Sequence, residues 1–212
     1  MKITRIAPLP LVFVMAISSS ARAQEDSLMD RPGLDVGLRL GYAAPFGKLG
    51  GVVNMSDFFS GAIPLVLELG YRINANATIG ILFQYAFALT KNCDPGASCS
   101  GSVIRLGLEG LFHIPVEGPF VPWLGLGTGY EWLSLDESGS TGGSVTVEGF
   151  EFLNLQAGGD YRLSPYFSLG PFVSFSLARY DSGSTSSGAG GEIRGKAIHE
   201  WLQFGMKGTF NL

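Results

Sequence analysis

The chain ends on HEWLQFGMKGTFNL, His199 to Leu212. Its even positions from Leu202 read Leu202, Phe204, Met206, Gly208, Phe210 and Leu212, and its odd positions read Gln203, Gly205, Lys207, Thr209 and Asn211. Successive side chains of a strand point to opposite faces, so this is a strand with one apolar and one small or polar face. Such a strand fits a soluble sheet whose polar side meets water. It fits equally a membrane barrel whose apolar side meets lipid and whose polar side meets the lumen. The remaining strands decide between the two.

Working back, the same period of two recurs. From Gly33, Leu34, Val36, Leu38, Leu40 and Tyr42 oppose Asp35, Gly37, Arg39 and Gly41. Between Gly61 and Ile73, apolar residues alternate with Glu68, Gly70 and Arg72; from Ile79 to Leu89 they alternate with Gly80 and Gln84. Ile104, Leu106 and Leu108 oppose Arg105, Gly107 and Glu109; Leu124, Leu126 and Tyr130 oppose Gly125, Gly127, Gly129 and Glu131. Leu153, Leu155 and Tyr161 oppose Asn154, Gln156, Asp160 and Arg162, and a seventh strand runs from Phe167 to Leu177. With the terminal stretch there are eight strands.

Their connections alternate in length. NANA (Asn74 to Ala77), PVEGPFV and LSPY are short, whereas Ala43 to Ser60, Thr90 to Gly101, Ser134 to Gly149 and Tyr180 to Lys196 are long. An up-and-down barrel puts all the long ones at one end. The expected fold is therefore all-β, an eight-stranded antiparallel up-and-down transmembrane β-barrel over residues 33–212. Aromatic residues gather near the strand ends, Tyr42, Tyr85, Phe87, Tyr130 and Trp132 toward the long loops and Tyr71, Phe112, Tyr161, Phe167 and Phe210 toward the turns, as in two interfacial girdles.

The polar faces carry Asp35, Glu68, Glu109, Glu131 and Asp160 against Arg39, Arg72, Arg105, Arg162 and Lys207. Five acids against five bases suit a closed interior, where an unpaired charge costs several kcal/mol. Eight strands leave an interior that side chains can fill. The expectation is an ion-paired plug, with Arg39, Glu68, Arg105, Glu109 and Lys207 in one network.

The N-terminus, MKITRIAPLPLVFVMAISSSARAQ, sets Lys2 and Arg5 before the apolar run Pro10 to Ile17 and then Ala21-Arg22-Ala23. That is the pattern of a secretory signal peptide, 1–23, cut between Ala23 and Gln24, leaving 24–32 as a short periplasmic segment. The rival is a membrane anchor, for which the run is short of about 20 residues. A net charge of −4 carries no nucleic-acid footprint. With 31 Gly, 15 Phe and 7 Tyr and no long apolar run after residue 23, the composition is that of a Gly- and aromatic-rich β-protein.

On these features the chain resembles the small eight-stranded outer-membrane barrels of Gram-negative bacteria, the OmpA transmembrane domain, OmpX, OmpW and opacity-like group, across Gln24 to Leu212. The resemblance implies outer-membrane lipid, lipopolysaccharide and the barrel-assembly machinery as partners, with an external ligand open. Members usually end in Phe as the assembly signal; here Leu212 is last and Phe210 stands two before it. No peptidoglycan-binding domain follows, so a cell-wall tether is not expected. The group holds adhesins, stability proteins, solute conduits and a few lipid enzymes, so architecture leaves function open.

Cys93 and Cys99, the only cysteines, lie in one loop with five residues between them, and an oxidising compartment favours a disulfide. Metal binding is the rival, without a nearby His to complete a zinc set. His113 falls at a turn and His199 near the opposite end, so the two do not suit one catalytic site; His199 beside Glu131 and a loop Ser keeps a lipid-modifying enzyme as a third reading. The first loop is apolar, with Phe46, Val52, Val53, Met55, Phe58 and Phe59, and suits a cover over the mouth, a lipid contact or an OmpW-like mouth. The leading expectation is a non-enzymatic protein of envelope structure or surface interaction, without cofactor, metal or catalytic residues. The alternative is a narrow conduit for small or apolar solutes, with local space at Gly125, Gly127 and Gly129.

Overall fold

The structure, a computed structural model, describes residues 31–212 except 52, 92–97, 140–141 and 194. The Ala23/Gln24 cleavage site, residues 24–30, Val52 and Cys93 fall outside the described residues. Eight long strands form the body: β1 (Gly33–Gly50), β2 (Phe59–Asn74), β3 (Ala77–Thr90), β4 (Ser98–His113), β5 (Phe120–Ser138), β6 (Gly143–Ser164), β7 (Phe167–Thr185) and β8 (Ile198–Asn211). Each pairs antiparallel with the next, and β8 returns to β1 in an unbroken register from Asp35↔Asn211 to Gly47↔His199. The sheet is thus a closed barrel without a free edge along its body.

Turn chemistry explains the short end. Between β2 and β3, Asn74 Oδ1 accepts from the backbone N–H groups of Asn76 and Ala77 at 2.9 and 3.0 Å, an Asx turn that reverses the chain in two residues. Between β6 and β7, Ser164 Oγ accepts from Tyr166 N–H at 3.3 Å.

The other end departs from expectation, because most of the residues read as long loops are strand. β1 runs on to Gly50, β5 to Ser138 and β7 to Thr185, and β6 starts at Gly143. A membrane strand needs only about 9–11 residues, so β5, β6 and β7 project as a blade beyond the apolar belt. The Gly- and Ser-rich composition hid this, since small polar residues keep the alternation of a strand without its hydrophobic contrast. Two short strands complete this end, Val53–Asn54 against β1 and Gly190–Glu192 against β7, with a one-turn helix, α1 (Met55–Phe58).

Outside, Leu38, Leu65, Leu67, Ile79, Leu106, Leu126, Leu155 and Phe204 are each about half exposed, and the belt they form passes round the whole barrel. A soluble monomer rarely exposes an apolar patch beyond a few hundred Å². Inside, charged and amide side chains are buried in its place. With lipid as the outer solvent, this inverted distribution is the stable one, and the barrel is transmembrane.

One bulge changes which side chains enter the lumen. β5 and β6 pair as Gly127↔Asn154 and then as Gly129↔Glu151, so β6 carries one residue extra. Thr128 Oγ donates to Glu151 O at 2.7 Å across the irregularity. Strict alternation from Leu153 assigns Glu151 to the lipid side; the bulge turns it inward, where it is 1% exposed, and leaves both Phe150 and Phe152 outside. The expected balance of five against five is corrected accordingly. Six acids are buried, Asp35, Glu68, Glu109, Glu131, Glu151 and Asp160, and Arg162 is only half-buried.

Candidate functional site: charged layers beneath an apolar stopper

Three layers of side chains fill the lumen. Nearest the turns, Arg72 Nη2 donates to both oxygens of Asp35 at 2.9 Å and also contacts Asn211, with Thr78 Oγ1 3.4 Å from Asp35. These groups come from β1, β2, β3 and β8, so the layer ties the closing seam to its neighbours. A cavity of about 40 Å³ lies beside it, lined by Glu68, His113, Asp160, Arg162, Ser168 and Thr209 among others, with room for a water or so.

The middle layer centres on Arg39. Its guanidinium pairs with Glu68, donates to Glu109 Oε2 at 3.3 Å and to Gln156 Oε1 at 2.8 Å, while Gln156 Nε2 donates to the same Glu109 oxygen at 3.0 Å. Lys207 Nζ reaches the other oxygen of Glu68 at 2.9 Å. Trp123 forms the floor of this layer. Lys207 Nζ lies 4.7 Å and the Arg39 guanidinium 5.4 Å from its ring centre, and its Nε1 donates to Asp160 at 3.1 Å. Both cations thus meet a π-face as well as carboxylates. Two glycines make the space: Gly37 faces Glu68 across the β1–β2 pair, and a methyl at Gly158 would collide with the Trp123 ring.

The outer layer is separate, so Arg105 does not join the Arg39 network as expected. Its Nη2 and Nε lie 2.5 Å from Glu131 and from Glu151. Glu131 Oε1 also accepts from the Tyr180 hydroxyl, lies 3.0 Å from His199 Nε2 and 3.4 Å from Trp201 Nε1. Tyr180 and His199 stack at 4.0 Å, and Asn154 Nδ2 donates to Glu151 at 2.5 Å. Glu131 therefore sits in a cage of donors from three strands, β4, β7 and β8, 0% exposed. Arg39 takes Glu68 and Glu109, whereas Arg105 takes Glu131, its register partner on β5, and Glu151.

Above it lies an apolar stopper. Met55 of α1 and Phe59 at the start of β2, both 0% exposed, drop among Ala43, Ala62, Ala86, Ala88, Val103 and Leu133. The four alanines face inward and leave the volume that the two larger side chains fill. The first loop is pinned there by backbone bonds, Lys91 N–H to Phe58 O at 2.7 Å and Gly51 N–H to Gly195 O at 2.8 Å. Burying two such side chains is worth about 1.5–3 kcal/mol each. The glycines expected to leave space do not: a methyl at Gly125 would meet Leu111 and Gln156, and at Gly127 and Gly129 the facing backbone carbonyls.

Two residues of the outer layer escape a sequence reading. Tyr180 falls in a stretch that reads as loop, and Glu151 lies on the wrong parity; a carboxylate on an otherwise lipid-facing row was the one available signal. His199 meets Glu131 as its position suggests, but its Nδ1 has no hydrogen-bond partner among the described residues and the ring is fully enclosed. His113 lies at the turn end, away from it. Cys99 is the second residue of β4 and is not a free thiol. At the seam Phe210 packs outward on Phe167 at 4.7 Å, and Leu212 N–H donates to Leu34 O at 2.8 Å.

No family model matches the sequence, and no curated protein matches it. Solved structures do match. Neisserial surface protein A superposes with a TM-score of 0.55 at 15% identity, over 82% of this chain and 96% of that one. The chain has the fold of the small eight-stranded outer-membrane barrels. The outer membrane protein OprG from Pseudomonas aeruginosa gives 0.52 at 14% identity, over 87% and 98% of the two chains. The outer membrane protein AlkL, solved in lipid bilayers, gives 0.50 at 15% over 93% and 98%. At such identities the likeness concerns the fold.

Proposed function

We propose that this protein is a non-enzymatic barrel of the Gram-negative outer membrane, with a closed lumen, its turns in the periplasm and its blade outside, serving envelope structure or surface interaction. The observation that carries this reading is the pair of closures in series, the ion-paired Arg39 and Arg105 layers below and the Met55–Phe59 stopper above. Such a stack is expected to block water and ions. The expected result in planar bilayers is silence: the purified protein inserts and gives no steady single-channel current. Steady conductance overturns the closed lumen.

A second reading, a narrow conduit for small or apolar solutes, draws on one feature. The outer closure is made by Met55 of the short α1 and by Phe59, the first residue of β2, seated among four alanines. Under that reading the wild type conducts or passes an apolar solute, and replacing Met55 and Phe59 by serine increases the flux.

The orientation has its own test. Protease added to intact cells is expected to cut in the blade tip near Ser186–Ala189 and to spare Ala75–Asn76 and Pro165–Tyr166. Cleavage at those turns from outside reverses the topology.

A further inference from the structure

The charges of the lumen do not balance in every layer. In the middle layer Glu68 and Glu109 meet Arg39 and Lys207, and at the turn end Asp35 and Asp160 stand with Arg72 and Arg162. Two acids face two bases in each. In the outer layer Glu131 and Glu151 share the single guanidinium of Arg105, and no other lysine or arginine contacts them among the described residues. That layer is one positive charge short, among groups at most 2% exposed. An uncompensated charge so deeply buried is strongly unfavourable.

His199 is the group placed to supply it. Its Nε2 lies 3.0 Å from Glu131 Oε1, Glu151 is within electrostatic reach, and its ring stacks on Tyr180 at 4.0 Å and 13°, against a π-face that suits a cation. The two acids are held as anions. Glu131 takes the Tyr180 hydroxyl and Trp201 Nε1 on one oxygen and Arg105 on the other, and Glu151 takes Asn154 Nδ2 on one and Arg105 on the other. Donors thus meet all four oxygens. The remaining neighbours bring no charge: His199 pairs with Gly47 of β1 and Ala178 of β7, Glu200 beside it has the outward parity of Ile198, and Met55 and Phe59 above are apolar.

We propose that the outer layer stores one proton on His199 and that this proton holds the layer shut, so that a rise in external pH loosens the closure beneath the mouth. The inference rests on the closed-lumen reading above and names what regulates its upper charged layer. The sign follows from proton counting. An unperturbed histidine is neutral above about pH 6.5, so beyond that pH the unfolded chain binds one proton fewer than the barrel. Stability is then complete at lower pH, and the folded-to-unfolded ratio falls by about tenfold per pH unit until the buried ring also releases its proton.

The test uses the full chain in a His113→Gln background, which leaves His199 as the one histidine. Nitrogen NMR of the ring at pH 7 is expected to show both nitrogens protonated, and urea unfolding followed by gel mobility at pH 6, 7.5 and 9 is expected to show the fall. His199→Gln is expected to weaken the barrel at pH 6 and to remove the pH dependence; adding Glu151→Gln is expected to restore stability while leaving it flat. If the single variant fails to fold, the ring spectrum still decides. A neutral ring, a carboxyl carbon shift of Glu151 typical of the protonated acid, or an unfolding midpoint independent of pH overturns the stored proton on His199. Bilayer recording separates this failure from the other: steady conductance at pH 7 overturns the closed lumen, whereas a neutral ring in a silent barrel overturns the proton latch alone.

Discussion

Arg105→Met is expected to cost about 3–5 kcal/mol of barrel stability, read from urea unfolding in detergent or lipid by gel mobility. The guanidinium bridges Glu131 and Glu151, at most 1% exposed, and no other arginine or lysine contacts either carboxylate among the described residues. Methionine keeps the volume and removes the charge, so two acids remain buried in a dry layer. Adding Glu151→Gln to Arg105→Met is expected to recover about 0.5–3 kcal/mol, the usual coupling between groups in contact. Arg179→Met is the control. That side chain is half exposed and pairs with Asp181 at 3.0 Å on the outer surface, where an ion pair contributes little. Similar small effects at both arginines would show the outer layer to be wet and its charges individually solvated.

Trp123→Ala is expected to be comparably severe, about 3–5 kcal/mol. The indole is 0% exposed, faces Lys207 and Arg39, donates to Asp160 and fills the space above Gly158. Alanine removes the packing, strands the Asp160 carboxylate and leaves both cations without their aromatic face. Trp132→Ala, on the outward face of the same strand, is expected to matter far less to unfolding. If the two tryptophans prove interchangeable in the same gel assay, the middle layer is not a packed element.

Both experiments bear on the part of the molecule that a linear reading reaches least well. Eight strands, their facing and the connection order follow from alternation, because side-chain direction in a strand repeats every two residues whatever the strand pairs with. Nine of the ten charges assigned to the lumen by parity, from Asp35 to Lys207, are buried inside it; only Arg162, at the turn end, is half-buried. Parity cannot say which acid meets which base. Arg105 was expected beside Arg39 because both belong to the same inward set, yet register seats it between Glu131 and Glu151.

The sequence by itself therefore determined the class of fold, the lipid-facing belt and the inward row of most of the buried charges. Only the tertiary structure decided the layers, the entry of Glu151 through a single-residue bulge, the strand identity of the Gly- and Ser-rich blade, and the descent of Met55 and Phe59 into the mouth. The physical reason is range. Facing is a local property of consecutive residues, whereas register, bulges and the docking of a loop depend on partners up to the full length of the chain away, and a one-residue shift in any of them exchanges the inside for the outside.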